Sequence, residues 1–195
     1  LHLSIRRQRQ MCIRDSVEEW LQATPAQFKF ALIANQRITH IQRLQSVELA
    51  LRRFLQVATQ LALANRLGPI LFQLPADFTC DLESLEAFLK LRPRAARFAF
   101  HFLHSSWLTD DVYALLRQHH TAIALVETDD TASPAVSTTD FIYLRLQRSA
   151  YSDAELKRWK EKLAAWGAAG YDVYAYFKQE EAGRGPAYAQ RLLEL

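Results

Sequence analysis

The sequence predicts an α/β protein with parallel strands, built as an incomplete TIM-type (β/α)8 barrel holding six of the eight strands. Three observations carry this. Short β-rich runs alternate with longer segments of helical period, the pattern of βαβ units. No GxGxxG turn follows any strand, and the chain has only five glycines, which argues against a nucleotide-binding doubly wound sheet. Six units fill residues 16–195, whereas a full barrel needs eight strands and roughly 250 residues. The shortfall is that of a barrel whose first two βα units are missing, with residues 16–27 closing the second helix.

The first strand is FKFALIA (28–34). A long helical segment follows from Ile38. In it Leu44, Val47, Leu51, Phe54, Leu55, Ala58 and Leu61 share one face. Gly68-Pro69 is expected to stop that helix, glycine by a left-handed turn and proline by lacking an N–H. PILFQL (69–74), RFAFHF (97–102), AIALVE (122–127), DFIYLRL (140–146) and DVYAYF (172–177) are the remaining strands. Helices are expected over 81–91, with Asp81 as N-cap, and over 109–119, with Thr109 as N-cap. Two more are expected over 152–170, with a Ser152–Glu155 capping box, and over 184–195, with Pro186 in the first turn.

The charge is unevenly placed. The chain has 24 Lys+Arg and 21 Asp+Glu, and residues 1–16 hold Arg6, Arg7, Arg9 and Arg14 against Asp15 alone, so the remainder balances 20 bases with 20 acids. The basic pI therefore comes from the leader. A polyanion-binding arm and a presequence are two readings of RRQRQMCIRDS. The reading adopted is a non-native leader over residues 1–15, resembling translated adapter sequence at the broken end of a metagenomic gene fragment. Residues 16–195 would then be one partial-barrel domain. Its unpaired edges, at 28–34 and 172–177, would make it poorly soluble alone. The neutral body argues against nucleic acid as a partner, and no apolar run reaches membrane-span length. Cys80 is the body's single cysteine, which fits a reducing cytoplasm.

Functional groups of a barrel sit at the C-terminal ends of the strands. Alternation puts Phe98, Phe100 and Phe102 on one face, toward the helices, and Ala99, His101 and Leu103 on the other, toward the axis. Tyr143 and Arg145 share a face, as do Tyr174, Tyr176 and Lys178. Asn35 and Gln73 end the first two strands and Glu127 ends another. Arg145 and Lys178 suit a phosphate or carboxylate, as a fork plus a point charge. Ion pairing of the same cations with Glu127 inside the mouth is the competing reading. Glu127, His101 and His104 are the acid/base candidates. Tyr143, Gln73, Trp107 and Asn35 would complete a pocket for a small anionic ligand, although Trp107 also suits packing. A metal held by His101, His104 and Glu127 is less favoured than a mouth histidine and a loop histidine bonded to backbone. Thr39-His40 could cap the long helix or hold an anion at its start. No sequence motif names a cofactor or an oligomeric state.

Several stretches carry a resemblance: SVEEWLQATPAQFKFAL, RITHIQRL, LGPILFQLP, FAFHFLHSSW, DFIYLRLQRSAYSDAEL and VYAYFKQEEAGRGPAYAQRLLEL. In order and spacing they are similar to the domain of unknown function 72 family, the YecE-like proteins. The resemblance implies a TIM-barrel-like fold and no established reaction. It also exposes departures. The family's Phe-Glu-Phe-Arg-His strand here has His101 for the glutamate and Leu103 for the arginine, and Ile33 stands where a lysine is usual. His104, Ser106, Trp107, Glu127, Tyr143 and Arg145 fit the pattern.

Overall fold

The computed structural model describes residues 13–133, 136–178 and 184–195. Residues 1–12, most of the basic leader, lie outside that range. The elements run α1 (Ile13–Gln22), β1 (Phe30–Ile33), α2 (Glu48–Leu63), β2 (Leu67–Leu74), α3 (Leu82–Lys90), β3 (Phe98–Phe102), α4 (Asp110–Gln118), β4 (Ala122–Glu127), β5 (Phe141–Leu146), α5 (Asp153–Ala168), β6 (Asp172–Phe177) and α6 (Arg184–Glu194). All strand pairs are parallel, and the sheet order is β1-β2-β3-β4-β5-β6. Strand order that follows chain order, with helices in nearly every connection, is the winding of a TIM-type barrel wall. The six strands make an incomplete barrel of that type, as the sequence predicts.

Alternation along each strand sorts the apolar side chains into two layers. Ile70, Phe72, Leu74, Phe98, Phe100 and Phe102 face the helices and pack with Leu51, Leu85, Phe88 and Leu116. On β5 and β6 the same layer holds Ile142, Leu144, Leu146 and Ala175 against Leu156 and Leu192. The inner layer, toward the barrel axis, holds Leu71, Ala99, Ala122, Ala124, Phe141, Tyr143, Tyr174 and Tyr176. At its floor Arg97 donates to Tyr174 Oη at 2.6 Å and to Asp172 at 2.5 Å. The guanidinium also lies over the Phe141 and Tyr174 rings. The start of β3 is thereby tied to the start of β6 across the lumen.

The helix starts follow their predicted caps. Asp81 accepts from Ser84 N at 3.0 Å, Thr109 from Val112 N at 3.5 Å, and the Ser152–Glu155 capping box is reciprocal. The first connection differs from expectation. The residues from Ile38 do not form one helix. Arg37–Ile41 is a π-helical turn, Arg43, Leu44 and Ser46 have positive φ, and α2 begins only at Glu48. Leu44 and Val47 are buried as expected, but from this turn rather than from the helix. Thr39 therefore caps no long helix, and its hydroxyl pairs with His40 Nδ1 at 2.8 Å. Nor do Gly68 and Pro69 stop α2. Asn65 does, at φ 54, a conformation asparagine tolerates well. Gly68 lies inside β2 where a Cβ would come within 3.1 Å of the Phe30 carbonyl oxygen, so close strand approach explains the glycine.

The ladder between β3 and β4 is short. It registers only Ala99 with Ala122 and Phe100 with Ile123. Higher up, the Val126 N–H and C=O are taken by Ser133 of the following loop.

Candidate functional site

Gln73 and His101 are register partners on β2 and β3, and their inward parity brings them to the mouth together. Arg145, on β5, reaches across the lumen to both. Its Nη1 donates to Gln73 Oε1 at 2.9 Å and to His101 Nδ1 at 3.1 Å. Gln147 lies beside it, and with its amide oxygen turned to the guanidinium it accepts from Nε at 2.8 Å and Nη2 at 3.1 Å. Arg145 is 5% exposed and His101 8%. Neutral acceptors thus fix the orientation of a buried guanidinium.

The tautomer of His101 follows from this contact. Arginine has no acceptor, so Nδ1 must accept and the neutral ring carries its proton on Nε2. The ring stays neutral because burial, and then the charges of Arg145 and Lys178, push its pKa down to about 3. Lys178, just past β6, is therefore near enough for its charge to bear on His101. Tyr143 is buried in the inner layer, and burial pushes its hydroxyl up to about 12 against the pull of Arg145. At neutral pH the mouth therefore holds a guanidinium, a neutral imidazole with its proton on Nε2, and a phenol.

The other predicted residues go elsewhere. Glu127 registers with Leu146, which faces the helices, and it accepts from Trp159 Nε1 of α5 at 2.9 Å. Val126 is the residue that registers with Arg145. Glu127 is one position out of phase with the lumen, so it is neither an acid/base group facing the mouth nor the mouth's counter-ion to Arg145. His104 caps a short 3-10 turn, Ser105–Trp107: its Nδ1 accepts from Ser106 N at 3.2 Å and pairs with Ser106 Oγ at 2.8 Å. It does not join His101. Trp107 is fully enclosed. It stacks on Phe102 at 5.0 Å, and its Nε1 donates to Phe78 O at 2.7 Å. It lines no ligand pocket. Asn35 is exposed, and its side chain accepts from Arg37 N at 2.8 Å, holding the turn after β1.

Among the described residues, no three His, Cys, Asp or Glu side chains gather closely enough to hold a metal ion. Among them also, no helix is long and apolar enough to cross a membrane. Ile33 and Leu103, two of the departures from the family pattern, are each 45% exposed. They add apolar surface at the strand ends. Sequence reasoning missed Gln147 and the orienting role of Gln73. The signal for Gln147 was available: it follows Arg145 at the inward spacing of two.

Six parallel strands wound in chain order, with a buried, oriented arginine at their C-terminal ends, define a TIM-type barrel protein. The family described as "Protein of unknown function DUF72" matches residues 10–195, and the chain belongs to that family. A DUF72 family protein from Thermotoga maritima MSB8 is similar in structure, with TM-score 0.85 and 23% identity, over 99% of this chain and 82% of that one. Another from Enterococcus faecalis V583 gives TM-score 0.79 and 16% identity, over 95% of this chain and 85% of that one. No curated protein matches the chain.

Proposed function

We propose that the barrel mouth binds a small organic anion, a carboxylate or phosphate ester, as the substrate of an enzyme working at the strand ends. The observation that supports this most is the Arg145 cluster. Gln73, His101 and Gln147 hold the guanidinium in a set orientation across the lumen. Lys178, just past the neighbouring strand, lies near enough for its charge to act on His101. An anion bound there meets donors that can stabilise charge developing on its oxygens. His101 Nε2–H and the Tyr143 hydroxyl serve as neutral donors. His101 is not a ready general base, because its Nδ1 lone pair is engaged by Arg145 and its Nε2 already carries the proton.

The reading is tested with inorganic phosphate and small carboxylates in a thermal-shift and calorimetric series. At 100 times Kd, an anion should add about 2.7 kcal/mol to stability. Arg145→Ala should abolish the shift. Arg145→Lys should not restore it, since an ammonium cannot make the guanidinium's bonds to Gln73, His101 and Gln147 together. An Arg145→Ala protein that still folds and keeps the full shift would remove the mouth from consideration.

A further inference from the structure

The outer face of α3 and α4 carries a charge pattern that the other described helices lack. Both begin with acids, Glu83 on α3 and Asp110 and Asp111 on α4, and both end with a base, Lys90 and Arg117. Helices α1, α2 and α5 have no base in the last turn, and α6 ends in Arg191 but has no acid in its first turn. The helix dipole favours each such charge singly. It does not require both ends to be charged on the two helices that lie side by side. Glu83, Asp110, Asp111 and Arg117 are exposed and form no salt bridge among the described residues, while Lys90 holds Glu86 at 2.7 Å. Between the helices runs a groove of about 440 Å³, where Leu82, Ala114 and Leu115 lie among Glu83, Glu86 and Asp111. Leu82 is 39% exposed, and Leu91, just past α3, 37%. An apolar strip thus joins an acidic end to a basic one.

Such a face is complementary to itself in one orientation. Two copies can meet on it about a two-fold axis lying in the interface. An axis parallel to the helices sets acidic end against acidic end. An axis perpendicular to them runs α3 and α4 antiparallel to the same helices of the other copy. Each acidic end then meets a basic end, and each contact occurs twice. We propose that the α3–α4 face docks a second copy of this chain in that antiparallel arrangement. The face is small, because a nine-residue helix is about 13 Å long and neighbouring helices lie about 10 Å apart. A stable interface takes about 800 Å² from each partner, so the pair is transient and sensitive to salt. The proposal does not depend on the anion reading, since these helices lie on the outside of the wall, away from the lumen.

The test is sedimentation equilibrium of the full chain at low salt and at about 0.5 M sodium chloride, where screening sets in within about 4 Å. The unaltered protein should exchange between monomer and dimer at low salt and be monomeric at high salt. Arg117→Glu and Asp111→Lys should each weaken the dimer about ten-fold at low salt, since an exposed pair turns repulsive at two symmetric places. An equimolar mixture of the two variants should recover the affinity of the unaltered protein, because the new acid of one meets the new base of the other. A charge that served only its own helix would show no such recovery. Both positions are exposed, circular dichroism checks that each variant folds, and the salt dependence of the unaltered protein needs no variant at all. A chain that stays monomeric at low salt would overturn the proposal. So would a dimer indifferent to salt and to both substitutions, which would move association to the sheet edges at β1 and β6. Variants that weaken the dimer without complementing each other would overturn the antiparallel pairing.

Discussion

Below about pH 6.5 the protein should lose stability through His101, at up to one proton's slope, about 1.4 kcal/mol per pH unit. The sign follows from which state binds the proton. Unfolded, the imidazole titrates near its ordinary value of 6.5. Folded, burial first and the Arg145 and Lys178 charges next hold it down to about 3. Between these values the unfolded chain takes up a proton that the native protein refuses. The native advantage is full above 6.5 and is lost as pH falls toward 3. His119 shifts in the same direction, chiefly by burial, so the raw profile contains both. His101→Gln isolates the mouth. Urea melts across pH 7 to 4.5 should run parallel at the top of the range and diverge below 6.5, with the variant less steep. The lower limit matters because Asp81, Glu86 and Glu155 are held below their usual range by hydrogen bonds and, for the two glutamates, neighbouring cations. They begin to contribute only in more acid solution. Identical slopes for the two proteins between pH 6.5 and 4.5 would mean that His101 is solvated or charged in the native state.

Trp107→Ala should cost about 3–5 kcal/mol of stability, the range for emptying a fully buried aromatic site. The indole is wholly enclosed. It stacks on Phe102, meets Phe78 edge-on at 5.3 Å and donates to the Phe78 carbonyl. Trp107→Phe should lose less, because the ring stack survives while the Phe78 oxygen is left without its donor. Chemical unfolding followed by circular dichroism gives the values. Anion affinity of the folded fraction supplies the contrast: a packing residue leaves it unchanged. A stable Trp107→Ala protein with weakened anion binding would return the indole to the pocket.

Trp107 also shows where the sequence stops being legible. Its position in a strand-end loop made it a pocket candidate, because the rule that functional groups gather there is positional. What decides the matter is the direction of the side chain, set by a 3-10 turn that His104 caps. That turn has no periodicity to read. Strands and helices are repetitive, so their alternation, faces and most caps could be read one residue at a time. The first connection could not. An apolar spacing that suits a helix also suits a turn that buries Leu44 and Val47 from positive-φ neighbours. Glu127 failed by parity. It ends a strand, as mouth residues do, but stands one position off the lumen-facing set. Arg145 and His101 were on the correct face from alternation alone. Their partnership was not readable, because it depends on a side chain from β5 crossing the lumen to β2 and β3.

That crossing gains weight from the thin ladder between β3 and β4. Main-chain bonding there is sparse, so the wall divides into two three-stranded leaves along one seam. Two arginines span the leaves. Arg97 acts as a rivet at the floor, and Arg145 as a clasp at the rim. The rivet closes on fixed partners in Asp172 and Tyr174. The clasp stands where a ligand is proposed to dock, so the group that would receive the anion is also the one that sets the gap between the leaves.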